Sequence, residues 1–288
     1  MKTGAREKTP MAGSKKKRGP KKKKSSAAAP VTETRAAASP GIFLRAQSSW
    51  NSFALATKPL HVTFEVIAII LIFALGVFCR LEDLSVWKKN ESYTFYDNKP
   101  IHTTFDAWFY LSLSQDLIDD TYTQPDEKRG GPHSPPRPVP PPLISVIAAA
   151  VVKATNISLC WVGAVLPAVL GPLLVIPLYM IGRFYGGVVC GLFACMVAVL
   201  YPFYITRSNL GRFDTDCLIL PLSLGATYLF MQFSLIRTNR RYVYACTGML
   251  LSGLFLWWWD QTPAAVAALT GLPLLAGIIF FYRPSFKE

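Results

Sequence analysis

Two aspartates one residue apart, Asp214 and Asp216, follow two arginines in the run Arg207-Ser-Asn-Leu-Gly-Arg212-Phe-Asp-Thr-Asp-Cys217. Carboxylate oxygens at that spacing are hard ligands and suit Mg²⁺ or Mn²⁺. Guanidinium groups beside them hold phosphate or orient the carboxylates. A third acid, Asp106, lies in Thr103-Thr-Phe-Asp-Ala-Trp-Phe-Tyr110. A hard cation takes about six oxygens, so three aspartates supply part of a shell and leave the rest to water and a substrate phosphate. Simpler roles compete. Asp106 fits an N-cap of a helix over 107–117, and Asp214 and Asp216 fit caps of the apolar run that starts at Cys217. Arg207 also fits a plain interface anchor.

The elements that must position these acids are apolar. Of the 288 residues 51% are hydrophobic and 16% charged, and several runs approach the ~20 apolar residues that cross a bilayer. Spans are predicted near 61–79, 161–182, 185–204, 217–236, 242–259 and 263–282. The stretch 143–156 is shorter, carries Lys153, and predicts an interfacial or re-entrant helix. Asp214 and Asp216 fall between two spans. A charge at mid-bilayer costs roughly 2.5–3.5 kcal/mol, which places the pair at the membrane surface. The expected fold is an all-α polytopic membrane protein of about six spans with an interfacial helix in its first external loop.

Charge distribution sets the expected orientation. Residues 1–60 hold fourteen Lys/Arg against Glu7 and Glu33, and so carry +12 of the net charge of +13. Such a segment cannot bury a core and is expected to be a disordered cytoplasmic tail near anionic lipid. Spans follow it directly, which argues against nucleic acid as partner, and its long charged stretch is unlike a signal peptide. With the tail inside, the first external loop is 80–160, Arg183 falls inside, the second external loop is 205–216, and the basic run Arg237–Arg241 falls inside as the positive-inside rule requires. Making 143–156 a full span would push that basic run outside. The domain reading is therefore a tail, 1–60, and a transmembrane domain, 61–288. The six cysteines lie in or beside apolar spans and read as packing residues. His102 and His133 read as lone loop histidines.

The combination resembles a known family. Arg207 seven residues before Asp214, then Gly211-x-Phe213-Asp214-Thr215-Asp216, is similar to the second external loop of oligosaccharyltransferase catalytic subunits of the bacterial and archaeal type. Phe105-Asp106-x-Trp108-Phe109-Tyr110 looks like the same family's first-loop acidic motif. The order of Pro-rich loop, short helix and the run Leu166–Arg183 matches as well, so that the resemblance covers about 62–282. It implies a GT-C membrane fold and transfer of an oligosaccharide from a polyprenyl-linked phosphate or pyrophosphate donor to the Asn of an Asn-x-Ser/Thr acceptor polypeptide. It further implies that Asp106, Asp214 and Asp216 organise Mn²⁺ or Mg²⁺, that Asp106 faces the acceptor amide, and that Arg207 and Arg212 bear on the donor phosphates. The implied location is a bacterial inner membrane with the site on the periplasmic face.

Members of that family continue with more spans and a soluble domain carrying Trp-Trp-Asp-Tyr-Gly. Trp257-Trp-Trp-Asp260-Gln261 lacks Tyr-Gly and reads as an interface belt. The expectation is thus the N-terminal membrane part of such an enzyme, truncated or split, without full transfer activity by itself. Another GT-C glycosyltransferase (O-mannosyl or aminoarabinose transfer) is the alternative among enzymes, and a six-span transporter the alternative of another class.

Overall fold

The computed structural model describes residues 58–126, 128, 135–236, 238–259 and 263–280, with no side chain described at 58–61, 273, 274 and 276–280. The expectations for residues 1–57, His133, Arg237, Asp260, Gln261, Arg283 and Lys287 lie outside the described residues.

The described residues are mostly helical. Helix α1 (Lys58–Leu81) carries Glu65 near its start and then the apolar run Val66–Cys79, which ends at Arg80. Its Val62, Phe64, Val66, Ile67, Ile70 and Leu71 are exposed, the pattern of a helix whose outer surface meets lipid. Short helices α2 (Asp83–Lys89) and α3 (Glu91–Thr94) lead into a two-stranded hairpin, β1 (Phe95–Tyr96) against β2 (Lys99–Pro100). Its turn residues Asp97 and Asn98 both have positive φ, which two-residue hairpin turns require and Asn and Asp tolerate. Helices α4 (Phe105–Ile118) and α5 (Leu143–Thr155) follow, then α6 (Leu159–Leu170) and a 3₁₀ turn over Gly171–Leu174. Next come α7 (Val175–Val199), α8 (Pro202–Thr206), α9 (Asp216–Leu235), α10 (Arg241–Trp258) and α11 (Pro263–Phe280).

Among the described residues three helical stretches are long and apolar enough to cross a membrane: Val62–Lys89, Leu159–Val199 and Asp216–Leu235. The middle one, 41 residues long, is not one rod. Its backbone leaves helical geometry at Gly186 and Gly187, and Cys195 Sγ donates to Val175 O at 3.1 Å. A straight helix would hold those two residues about 30 Å apart. The chain therefore doubles back at Gly186–Gly187, where spans 161–182 and 185–204 are expected to meet. The arms lie so close that a Cβ on Gly182 would stand 2.7 Å from Gly191 Cα. Helices α10 and α11 occupy the positions of two more predicted spans; α10 does not meet the same standard, and of α11 the described part, Pro263–Leu272, is a shorter apolar helix. Arg241, Thr247, Gly248, Ser252 and Gly253 lower the apolar character of α10.

Contacts at the two ends of the bundle fix its register. At one end Glu65 of α1 accepts a hydrogen bond from the Tyr179 hydroxyl and pairs with Arg183 of α7. At the other end Gly76 meets Pro172 and Val199. The arm of α7 before the bend thus runs antiparallel to α1 and the arm after it runs parallel, with the start of α1 and the Gly186–Gly187 bend at the same end. Helix α5 keeps to the opposite end, running beside α4. Ser145 Oγ donates to Tyr110 O at 2.8 Å, and Lys153 pairs with Asp120 at 3.1 Å. The main core packs Ala107, Tyr110, Ile144, Val162, Phe213, Leu222, Phe255 and Trp258 together beneath the acidic loop.

Candidate functional site

The acidic loop is short because three backbone bonds pin it. Leu210 N–H donates to Arg80 O at 3.2 Å, Gly211 N–H to Ala164 O at 2.9 Å, and Thr103 N–H to Gly211 O at 3.1 Å. Gly211 has φ of +77°, and a Cβ there would stand 2.3 Å from the Trp87 ring. Only glycine satisfies both the turn and that approach. Below the loop lies Arg80, fully buried. Its Nε donates to Ser208 Oγ at 2.8 Å, its Nη1 to Gly76 O at 2.9 Å and Val199 O at 3.2 Å, and its guanidinium stacks on Tyr204. The Tyr204 hydroxyl reaches both Gly171 O (3.0 Å) and Cys217 O (2.7 Å). One buried charge thus ties the end of α1 to the foot of α9.

The loop's own charges then converge. Arg207 Nη1 donates to Asp216 Oδ2 at 3.0 Å and Arg212 Nη2 to the same oxygen at 3.4 Å, while Arg212 lies 3.9 Å from Asp214 Oδ2. Asp214 Oδ1 accepts the Thr215 amide at 2.6 Å. Burial raises the pKa of the Asp214 carboxyl above the usual range, and the charges of Asp216 and Asp106 raise it further. The Thr215 amide and Arg212 pull the other way. Trp258 Nε1 donates to Thr215 O at 2.6 Å, between the two aspartates. A cleft of about 460 Å³ opens beside it, walled by Tyr110, Pro138–Pro142, Trp257 and Trp258.

Asp106 comes from the first loop, in the opening turn of α4. The capping role considered for it belongs to Thr104, whose Oγ1 accepts the Ala107 amide at 3.3 Å. Thr104 lies two residues earlier with extended backbone, as an N-cap must. Asp106 is left exposed, and its charge is felt at Asp214. Nor do Asp214 and Asp216 cap α9 in the ordinary way. Thr215 holds the N-cap position without a side-chain cap bond, and Asp216 is the first helical residue. All five residues expected at the site therefore stand in the two loops that meet at Gly211.

A hard divalent cation fits this donor set in part. Asp214 and Asp216 offer oxygens one residue apart, and the like-charge repulsion raising Asp214 is what a cation relieves. Yet Asp216 Oδ2 already receives two guanidiniums. Among the described residues no three His, Cys, Asp or Glu groups are gathered closely enough to hold an ion by themselves. Asp214 and Asp216, with Asp106 across the loops, would leave the remaining oxygens to water and substrate.

Sequence reasoning missed three features. His102 is not a lone loop residue but is 6% exposed, with Nδ1 donating to Gly211 O at 3.3 Å. Burial lowers its pKa, while backbone groups of Gly211 and Cys160 oppose the shift. Arg80 follows the first predicted span, and no spacing in the sequence marks its buried role. The first loop holds a buried ion cluster, with Arg137 Nη2 2.7 Å from Asp116 Oδ2 and 3.4 Å from Asp126 Oδ1, and Lys128 on Asp116. Gln124 brackets the backbone of Arg137 on both sides. Each contact joins residues far apart in the chain, and no local spacing announces them.

Known proteins share this organisation. Residues 67–284 match the family model described as Oligosaccharyl transferase STT3, N-terminal. Two relatives, from Campylobacter jejuni serotype O:2 and strain RM1221, are each named undecaprenyl-diphosphooligosaccharide--protein glycotransferase. They are 24% identical over 224 residues and 23% over 223. Each match covers 77% of this chain but 29% of the relative, so the chain spans under a third of their length. The family match runs through both acidic loops and the apolar helices between them: the chain belongs to the oligosaccharyl transferase STT3 family and carries its N-terminal region.

Proposed function

We propose that this chain forms the membrane-embedded part of an enzyme that transfers an oligosaccharide from a polyprenyl-linked diphosphate donor to the Asn side chain of an Asn-x-Ser/Thr sequence in an acceptor polypeptide. The observation that carries this reading is the meeting of the two acidic loops at Gly211, which brings the charge of Asp106 to bear on Asp214. In this reading Asp214, Asp216 and Asp106 hold Mn²⁺ or Mg²⁺, which when bound would neutralise charge on the departing diphosphate.

The chain's own residues do the rest. Arg207 holds Asp216 while its side chain stays 46% exposed, so the same guanidinium has donors left for a donor phosphate. Arg212 bridges Asp214 and Asp216 and keeps their carboxylates facing one region. Asp106, exposed at the start of α4, orients the acceptor amide. Its carboxylate takes one proton from the amide NH2 as the nitrogen bonds to the sugar's anomeric carbon and the phosphate oxygen leaves with the bonding electrons. The Pro-walled cleft beside Thr215 gives room for substrate next to these groups. The fold belonging to this reading is a GT-C bundle of six crossings with the basic tail cytoplasmic and the acidic loops on the opposite, periplasmic face. The common location of the acidic loops, away from the Glu65–Arg183 end, supports that arrangement.

The test is substitution of Asp214 and Asp216 by Ala, one at a time, in a longer chain that carries this region and the remainder of the enzyme, in membranes with a polyprenyl-diphosphate oligosaccharide and an Asn-x-Thr peptide. Glycopeptide formation should fall by at least about 100-fold, beyond what loss of an outer-shell group brings. Asp119→Ala, whose exposed carboxylate meets only Gln115 within α4 and its cap, should leave the rate unchanged. Undiminished transfer by either loop variant overturns the reading.

A further inference from the structure

The imidazole of His102 stands between the neighbours of both acidic groups. Its ring meets that of Trp108, two residues past Asp106, edge to face at 5.5 Å between centroids. Its other side meets Phe213, the residue before Asp214, at 6.4 Å. Its Nδ1 donates to Gly211 O, the same carbonyl that takes the Thr103 amide. Gly163 closes on it from α6, where a Cβ would lie 3.1 Å from His102 Cε1. The ring is thus held from the first loop, the second loop and the bundle at once. Its Nε2 is buried and makes no hydrogen bond of good geometry, although the Cys160 backbone acts on the ring.

A buried polar atom left unsatisfied costs about 1–3 kcal/mol, and a phenyl or leucyl side chain would fill the space without that cost. What those side chains lack is the Nδ1–H that reaches Gly211 O. Burial keeps the ring neutral, which preserves one donor and avoids adding a cation among the arginines. Neither Asp106 nor Asp214 is itself bonded to His102. The ring acts on them through Trp108 and Phe213, which set where the backbone of each loop lies.

We infer that His102 is a positioning residue that sets the spacing between Asp106 and Asp214, and so tunes the metal affinity of the site. The inference rests on the metal reading above. Its effect has to be conditional. Moving one loop against the other matters to bound metal only while Asp106 is there to be moved. A residue that merely supports the fold would weaken the site whether or not Asp106 is present.

The experiment is a double-mutant cycle on the purified chain, read by the loss of free Mn²⁺ signal in electron paramagnetic resonance. Amide exchange of segments 101–108 and 207–216 is measured in parallel. His102→Ala should weaken Mn²⁺ binding about tenfold, the scale of outer-shell losses, and less than twofold in an Asp106→Ala background. His102→Asn, whose amide N–H can replace Nδ1–H, should recover most of the affinity. Exchange should quicken in both segments in the alanine variant and return in the asparagine variant. Equal losses with and without Asp106 overturn the inference, as does unchanged exchange in either segment. If Asp106→Ala alone leaves Mn²⁺ binding unaltered, the metal reading fails, and tuning of metal affinity by His102 fails with it. The exchange arm then reports only whether the ring couples the loops. If His102→Ala does not fold, His102→Asn carries the cycle: wild-type affinity and exchange support the inference, and a tenfold loss independent of Asp106 sinks it.

Discussion

Asp214 is held against its own electrostatics. Burial and two neighbouring carboxylates raise its pKa, with Arg212 and one backbone amide opposing them. The metal-free protein should therefore gain from neutralising it. Asp214→Asn is expected to raise the thermal midpoint at pH 7 while abolishing glycan transfer, and a lower midpoint would show that the charge is fully compensated. His102 runs the other way with pH. Its pKa in the fold lies below the ordinary His value of about 6.5, so the unfolded chain binds the extra proton first. The stability it contributes is full above that value and is lost as pH falls through it toward the lowered folded pKa. In His102→Asn the drop in midpoint between about pH 6.5 and 5 should be shallower than in the parent, measured by thermal scans at fixed ionic strength. The acids and arginines of the site were legible because a hard-ligand pair at a span boundary is costly and rarely incidental. His102 and Arg80 were not. Their partners lie 109 and 128 residues away, and a lone histidine or arginine carries no spacing to read.

At the scale of elements, apolar run lengths gave most of the helices, and two glycines show what the runs conceal. Gly187 sits at φ +75° and ψ −171°, a region open in practice to glycine alone. A Cβ there meets nothing within 4 Å, so Gly187→Ala should cost only the backbone strain of about 1–3 kcal/mol. Gly211→Ala adds a collision with Trp87 to a positive φ, and should cost more and loosen the acidic loop as well. Midpoints of unfolding in mixed detergent would rank the two, and a reversed order would mean that Trp87 yields freely. The ion cluster of the first loop belongs to this scale too. Arg137→Ala leaves buried Asp126 without its guanidinium and Asp116 with Lys128 alone, which should cost up to about 3–5 kcal/mol. It should also free the Pro-rich wall from α4, seen as faster proteolysis within 119–142. The sequence marks that segment as a polar, proline-rich connection, and its buried charges become visible only once Gln124 and Arg137 are seen side by side.

For the whole molecule, the helices carry one set of contacts to the Glu65–Arg183 end and another to the acidic loops. Cysteines placed at Phe105 and at Arg240 should therefore differ in reach. In sealed vesicles a membrane-impermeant maleimide is expected to label one site and not the other. Labelling of both from one side would refute the arrangement. One further consequence concerns α10. Its last two tryptophans carry their indole protons to different loops, Trp257 to Pro141 O at 2.8 Å and Trp258 to Thr215 O at 2.6 Å. Trp258 is almost wholly enclosed, and its partner carbonyl belongs to the peptide that separates Asp214 from Asp216. The protein thereby contains a native optical gauge. Strain or charge arriving at that peptide alters the surroundings of one enclosed indole, and in a variant whose other six tryptophans are replaced by phenylalanine its emission colour and lifetime would register events at the acidic turn with no dye attached.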